Sequence, residues 1–369
     1  MYDVAILGAG PAGAALACAL APRWRVVLID KRLQPGVRIG EALVPAAGRV
    51  LRDLGLRAAF DALAPAPYVA NRSFWGSANE DYRDFISDPE GCGWHLNRAA
   101  FERMLRAQAS ARGAECLFRH QLQDIAPGWR LRCGGIAEIS CRFVVDATGR
   151  SAALARRLGA RRQPHDRMVA RWCRLQGGDQ AQRGISSVIA TPNGWWYHLA
   201  GQRKGRHEDM LAFHSLPDLM PPYRAADLLH AAQQHPGLSE PLHAAKPLGE
   251  AKTSAAHTGR LDRASGPSWL AIGDAAVCFD PIASRGLFHA LYSAFVAAAL
   301  LDERLRGIGQ DFSLYDADIS RIYTRFLAHR RAVYSAEQRW PETVFWQEAQ
   351  HGFPLAKHAS GRSRKVPTL

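Results

Sequence analysis

The chain contains no C-x-x-C pair, no internal repeat, no nucleic-acid-binding motif and no apolar run approaching the roughly 20 residues of a membrane span. Each absence removes a class of protein. The seven cysteines (Cys18, Cys92, Cys116, Cys133, Cys141, Cys173 and Cys278) are scattered, which argues against a disulfide framework and against a zinc site, and they are expected to be buried small hydrophobes. No metal-ligand spacing and no nucleophile triad competes for the chemistry, so no metal is expected. The first apolar segment follows only Met1-Tyr2-Asp3, without the basic stretch of a signal peptide; it reads as a strand, and a cytoplasmic location with no membrane contact is expected. Lysine is also absent between Lys31 and Lys204, a gap that becomes informative below.

What is present is a chain of 369 residues, 47% hydrophobic, long enough for one large domain or two interleaved ones. Its formal charge of +13 comes mostly from arginine. Such an excess suits an acidic partner or an anionic cofactor, and it equally suits a GC-rich genome. The basic residues are spread along the chain rather than clustered, and nucleic acid is not expected as a partner.

The stretch "YDVAILGAGPAGAALACALA" runs an apolar strand into Gly8, Gly10 and Gly13 and then into a helix of small residues. Gly8 suits the tight turn, Gly10 lets the backbone approach a pyrophosphate, and Gly13 lets helix and sheet pack closely, leaving the helix N-terminus for the anion. A second strand, "RVVLID", ends at Asp30, where a carboxylate can accept from adenosine ribose hydroxyls and repel a 2′-phosphate. The dinucleotide is therefore FAD or NAD. Two further strands end in acidic turns, "FVVDATGRS" at Asp146 and "AIGDAAVCFDPIASRGLFHAL" at Asp274. Three such segments in this order resemble FAD-dependent monooxygenases with a single dinucleotide fold. The resemblance implies that Asp274 holds a ribityl hydroxyl, and that a helix beginning near residues 284–287, with Gly286 and Leu287 at its mouth, aims its N–H groups at the flavin.

The chain resembles the group of tryptophan halogenases, geranylgeranyl-reductase-like proteins and p-hydroxybenzoate-hydroxylase-like monooxygenases. On "RIGEALVPAA", "ANRSFWGS", "GWHLNRAAFERML", "GWWYHLA" and "RWPETVFW", it is more closely similar to the monooxygenases that mature tryptophylquinone cofactors of amine and amino-acid oxidases. The likeness spans about residues 2 to 346. It implies FAD as cofactor, with Gly8, Gly10, Gly13, Asp30, Arg38, Arg98, Asp274, Gly286 and Leu287 around it. It also implies reduction by NAD(P)H or a separate flavin reductase, capture of O₂ as a C4a-hydroperoxyflavin, and hydroxylation of an aromatic ring. The expected substrate is a tryptophan in a partner protein or peptide. Two departures bear on this. Tryptophan halogenases carry a catalytic lysine after the "GEALVP"-like segment and a W-x-W-x-I-P motif, whereas this chain has no lysine there and has Gly194-Trp195-Trp196-Tyr197 instead. The Asp-Gly pair that hydroxylases use near nicotinamide appears as Thr148-Gly149, which favours a separate electron donor. Halogenation, small-molecule aromatic hydroxylation, oxygen-independent ring or alkene reduction, and a non-catalytic flavin-bearing maturation chaperone are the alternatives.

The expected fold is α/β: a Rossmann-type, glutathione-reductase-like FAD-binding domain interleaved with a β-sheet substrate domain, and a helical C-terminus. Residues 1–70, 95–165 and 255–300 are expected to build the flavin part, and 71–94 and 166–254 the substrate part. Residues 301–369 complete the chain with helices and a basic tail, "KHASGRSRKVPTL", read as a solvated end. Within the substrate part, "ISSVIATPNGWWYHLAGQRKGRHEDMLAFHSL" reads as two β-rich runs joined by a charged turn. The expected substrate pocket contains Trp75, Trp195, Trp196 and Tyr197, whose rings suit an indole or phenol. Candidates for a weak general base are Glu41, His95, Asp280 and His289.

Overall fold

Val4, Ala5, Ile6 and Leu7 are all at most 3% exposed, as a strand covered on both faces must be. In the computed structural model, residues 1–351 are described, apart from 86–88, 127, 136–137, 204–205 and 309–311. The strand Tyr2–Leu7 lies at the centre of a parallel sheet, flanked by Val26–Asp30 and then Glu115–Phe118 on one side, and by Ile139–Asp146 and then Trp269–Ala271 on the other. The helices Pro11–Leu20 and Gly286–Leu305 pack together against this sheet. Small residues allow it: Ala12, Ala14, Ala15 and Ala17 on the first helix and Ala294 and Ala297 on the second are buried. The helix Arg98–Ala111 buries Phe101, Leu105 and Ala109 completely, the i, i+4, i+8 face expected from the sequence.

A second sheet runs in the order Lys246–Pro247, Val169–Gln176, Asp209–Ser215, Gly194–Leu199, Ile185–Thr191, Ala70–Phe74 and Asp81–Asp84, with Lys252–Ala255 also pairing with Val169–Gln176. The sequence reading of two β-rich runs needs correction here. Pro192 and Asn193 turn the chain, so the first run is two strands, Ile185–Thr191 and Gly194–Leu199, and Asp209–Ser215 is the third. One face of the sheet buries Trp196, Leu211 and Phe213 against Leu228, Leu229 and Leu238 of two short helices. The opposite face looks toward the parallel sheet.

In the C-terminal segment a long helix, Ser313–Ser335, is followed after the Pro341 turn by a separate helix, Val344–His351. Phe345 and Trp346 of that helix are fully buried, so "RWPETVFW" is stapled to the core. Two cysteines depart from expectation: Cys92 is exposed and Cys116 only partly buried. The basic tail lies outside the described residues. Among the described residues no helix is long and apolar enough to cross a membrane.

Candidate active site

Where the parallel sheet meets the second sheet there is a cleft of about 590 Å³. Gly8, Gly10, Asp30, Arg38, Arg98, Asp274, Gly286 and Leu287 line it, so eight of the nine expected flavin-side residues share one cavity. Gly13, the ninth, lies beneath it. Gly8 has φ +106°, and a Cβ there would meet the Ala147 carbonyl oxygen at 2.3 Å; a Cβ on Gly13 would meet the Gly8 oxygen at 1.9 Å. Gly10 differs, because a Cβ there meets nothing within 4 Å and would stand in the cleft. The helix behind it, Pro11–Leu20, has no side-chain cap and no acid in its first turn, leaving its first N–H groups and positive dipole end for an anion. Gly286–Leu305 likewise starts uncapped at the cleft, with open space beside Gly286. Two uncapped helix N-termini and a bare glycine turn fit the pyrophosphate and the electron-accepting ring of a flavin dinucleotide.

The carboxylate of Asp30 accepts from the Ala9 N–H at 2.8 Å and from the Arg32 N–H at 2.7 Å, and Arg106 stands 3.3 Å away. Arg106 also donates to the carbonyls of Ala9 and Arg32, so it clamps the glycine turn. An ionised carboxylate has about four acceptor sites, which leaves Asp30 capacity for ribose hydroxyls. Arg98 spends its guanidinium on the carbonyls of Ile39 and Gly40 and on Glu102 at 2.9 Å, holding a loop where the sequence suggested a phosphate contact. Arg38 forms no pair with Glu41, whose carboxylate accepts instead from the Gly40 N–H. Burial pushes the Arg38 guanidinium below its usual range. Asp274 faces Arg150 at 3.5 Å, and Arg150 reaches the Phe279 carbonyl at 2.9 Å.

The second sheet supplies the far wall. Directly opposed residues on four neighbouring strands, Trp195, His214, Ala170 and Ser254, form one cross-strand row, and all four line the cleft. Tyr197, two residues from Trp195, lies on the same face and also lines it. Trp195 stacks on His214 with ring centroids 3.7 Å apart, and burial pushes the His214 imidazole down to about 3, so it is neutral near pH 7.

Several expected site residues are elsewhere. Trp196 points to the opposite face, against Phe213 and His235, because successive strand residues alternate. Trp75 does not line the cleft; its indole donates to the Val333 carbonyl and packs edge-on against Trp195, Tyr334 and Trp346 behind the wall. The four candidate bases are not brought together. Asp280 lines the cleft, but its carboxylate holds Arg330 at 3.0 Å and the Tyr334 hydroxyl at 2.8 Å. His289 turns away from the cleft onto Phe279, and burial pushes its imidazole down to about 4. Glu41 and His95 line a smaller chamber of about 40 Å³ that shares Arg38 and Arg98 with the cleft. There burial pushes Glu41 up to about 7, with Arg98 opposing it, and pushes His95 down to about 3.

Nothing in the linear sequence marks His214, Ala170, Ser254, Arg106 or Arg150 as site residues. Every residue of Asp209–Ser215 is buried, so no polar alternation marks which face His214 takes.

A family model described as FAD binding domain matches residues 1–326. The chain is 28% identical over 377 residues to LodB of Marinomonas mediterranea, described as an FAD-dependent oxidoreductase, covering 97% of this chain and 99% of LodB. Among solved structures, the myxobacterial chondrochloren halogenase CndH superposes with a TM-score of 0.84 at 22% identity, over 95% of this chain and 86% of that one. QhpG, a peptidyl tryptophan dihydroxylase essential for tryptophylquinone cofactor biogenesis, superposes with a TM-score of 0.73 at 22% identity, over 95% and 78%. The last two likenesses establish the fold.

Proposed function

Because the chain belongs to the FAD-binding-domain family and is an FAD-dependent enzyme, we propose that it hydroxylates an aromatic ring, a tryptophan side chain in a protein or peptide matured toward a quinone cofactor. The observation that carries this reading is that, among the described residues, no lysine lines the substrate side of the cleft; Lys252, at the outer edge of the second sheet, lies over the Trp172 ring and is not among the cleft-lining residues. Lys31 is the lysine among the cleft-lining residues, and it follows Asp30 at the nucleotide end. Trp195, Tyr197, His214, Ala170 and Ser254 make up the wall across from it. A halogenase of the resembling kind needs a lysine to activate its halogen species, and this wall offers none. The similarity to a peptidyl tryptophan dihydroxylase supports a peptidyl substrate. Halogenation remains the second reading on the strength of the closer superposition with CndH.

When bound, FAD supplies the redox chemistry that activates dioxygen. The protein's residues do the rest. Gly8, Gly10 and the helix Pro11–Leu20 would hold the pyrophosphate, Asp30 the adenosine ribose and Asp274 the ribityl chain. The uncapped N-terminus of Gly286–Leu305 would stabilise the negative charge that a flavin ring gains on reduction. Tyr197 packs against the substrate ring, while Trp195, buried and stacked on His214, stiffens the wall behind it and excludes water. His214, kept neutral near pH 7 by burial, backs the wall behind the ring site, and the proton released when oxygen replaces a ring hydrogen needs only a weak acceptor such as water. Electrons come from NAD(P)H or a separate flavin reductase; Thr148 is already committed, donating to Asp146 at 2.6 Å and accepting from the Ala153 N–H. One flavin reoxidation per oxygen atom gained by a tryptophan peptide tests the reading, and reoxidation that leaves the peptide unchanged contradicts it.

A further inference from the structure

The row Trp195, His214, Ala170 and Ser254 stops at an edge. Lys252–Ala255 pairs on one side with Val169–Trp172, and no described strand pairs with its other side. Lys252, Thr253 and Ala255 are exposed, and Ser254, Ala255 and Ala256 are small residues lining the cleft itself. In a sheet, directly opposed residues share a face, so the next place in this row belongs to whatever strand adds to the edge. We propose that an extended segment of the substrate protein or peptide adds as that strand. Its residue opposite Ser254 then points into the cleft beside the Ser254, Ala170, His214 and Trp195 row, while its immediate neighbours point away. The inference rests on the reading above that the substrate is peptidyl.

The next row on the same face specifies a second position. Tyr197, Ala212, Trp172 and Lys252 are directly opposed in turn, and the Lys252 ammonium lies 5.6 Å from the Trp172 ring centroid. A residue two places along the added strand from the aromatic one therefore stands opposite Lys252. A carboxylate is favoured there by charge, in keeping with the chain's formal +13. Main-chain hydrogen bonds to the edge supply affinity, and these two alternate side-chain positions supply selectivity. The recognition element is an aromatic residue in an extended segment with an acid two residues away.

The test uses the holoprotein with oxidised FAD and no reductant, so nothing turns over. Binding of a fluorescein-labelled EVWVE pentapeptide is measured by anisotropy, along with forms N-methylated on alternate backbone nitrogens. Methylating one alternate set is expected to weaken binding at least about tenfold and the other set less than about twofold, since only one set faces the edge. Lys252→Glu is expected to weaken EVWVE and to favour KVWVK. Equal loss from both sets, no binding of unmodified EVWVE, or indifference to Lys252→Glu overturns the proposal. Adding reductant and O₂ separates the two claims. Hydroxylation regardless of N-methylation leaves the function standing and removes the docking strand, while alternation without oxygen incorporation does the reverse.

Discussion

Trp195 lies face to face with His214, ring centroids 3.7 Å apart and planes within 7°. This pair is tied to the mouth of the flavin-side helix through side chains alone. The Trp195 indole donates to the Tyr334 hydroxyl at 3.0 Å, and Tyr334 donates to Asp280, six residues before Gly286. Trp195→Phe keeps an aromatic ring but loses that hydrogen bond and shifts the stack. The expected result is a fall in kcat/KM of about tenfold, or about 1.4 kcal/mol of transition-state binding, with FAD still bound by absorbance.

Gly10 and Gly13 predict opposite failures. Gly13→Ala drives a Cβ against the Gly8 backbone and is expected to cost about 1–3 kcal/mol of stability, read by denaturant unfolding. At Gly10 an added Cβ meets no protein atom within 4 Å, so Gly10→Val starts its side chain in open space at the cleft. It is expected to leave the apoprotein's midpoint nearly unchanged while weakening FAD binding at least about tenfold, since the backbone can no longer approach the pyrophosphate.

Arg330 is 2% exposed and neutralises Asp280 at 3.0 Å and Asp166 at 3.5 Å. Arg330→Leu strands two buried carboxylates, and a loss of about 3–5 kcal/mol is expected in urea unfolding. Tyr334→Phe removes two buried hydrogen bonds, the one it donates to Asp280 and the one it accepts from the Trp195 indole, and is expected to cost about 2–3 kcal/mol.

Glu41 sets a pH window. Its carboxyl is raised from 4.5 to about 7, so between those values the folded chain holds a proton that the unfolded chain has released. Stability from this group is therefore full below about pH 4.5, declines as pH rises to about 7 and is level above, a total of at most about 3 kcal/mol. Comparing thermal midpoints of the parent and Glu41→Gln from pH 5 to 8 isolates it. The two curves should converge or cross up to pH 7 and run parallel beyond. The depressed imidazoles of His95 and His214 act in the other direction, removing stability as pH falls below about 6.5, equally in both proteins.

The flavin side was legible because its chemistry is local. The glycine spacing after a strand, the acids at strand ends and the helix beginning at Gly286 are each encoded within about twenty residues, and six residues of these segments, Gly8, Gly10, Asp30, Asp274, Gly286 and Leu287, line one cleft. The helix Arg98–Ala111 was legible for the same reason: its apolar spacing is its buried face.

The substrate wall was not, because it depends on strand parity and register. Trp195, Trp196 and Tyr197 are consecutive, and alternation puts Trp195 and Tyr197 on one face and Trp196 on the other without saying which face meets the cleft. The row through His214, Ala170 and Ser254 joins four strands whose register only the folded sheet fixes. Asp280 looked like a free acid near a helix because its partners Arg330 and Tyr334 lie 50 and 54 residues away in sequence. Glu41 and His95, neighbours in space, sit behind Arg38 and Arg98 in the smaller chamber, a separation no sequence spacing marks.

The central claim is oxygen transfer to a tryptophan ring, and ¹⁸O₂ tests it most directly. A tryptophan-containing peptide is incubated with the holoprotein, a flavin reductant, ¹⁸O₂ and chloride, and its mass is read by fragment. The account predicts one or two ¹⁸O atoms on the tryptophan residue, dependent on dioxygen. Exchange of a ring hydrogen for chlorine, or turnover that proceeds without dioxygen, would contradict it.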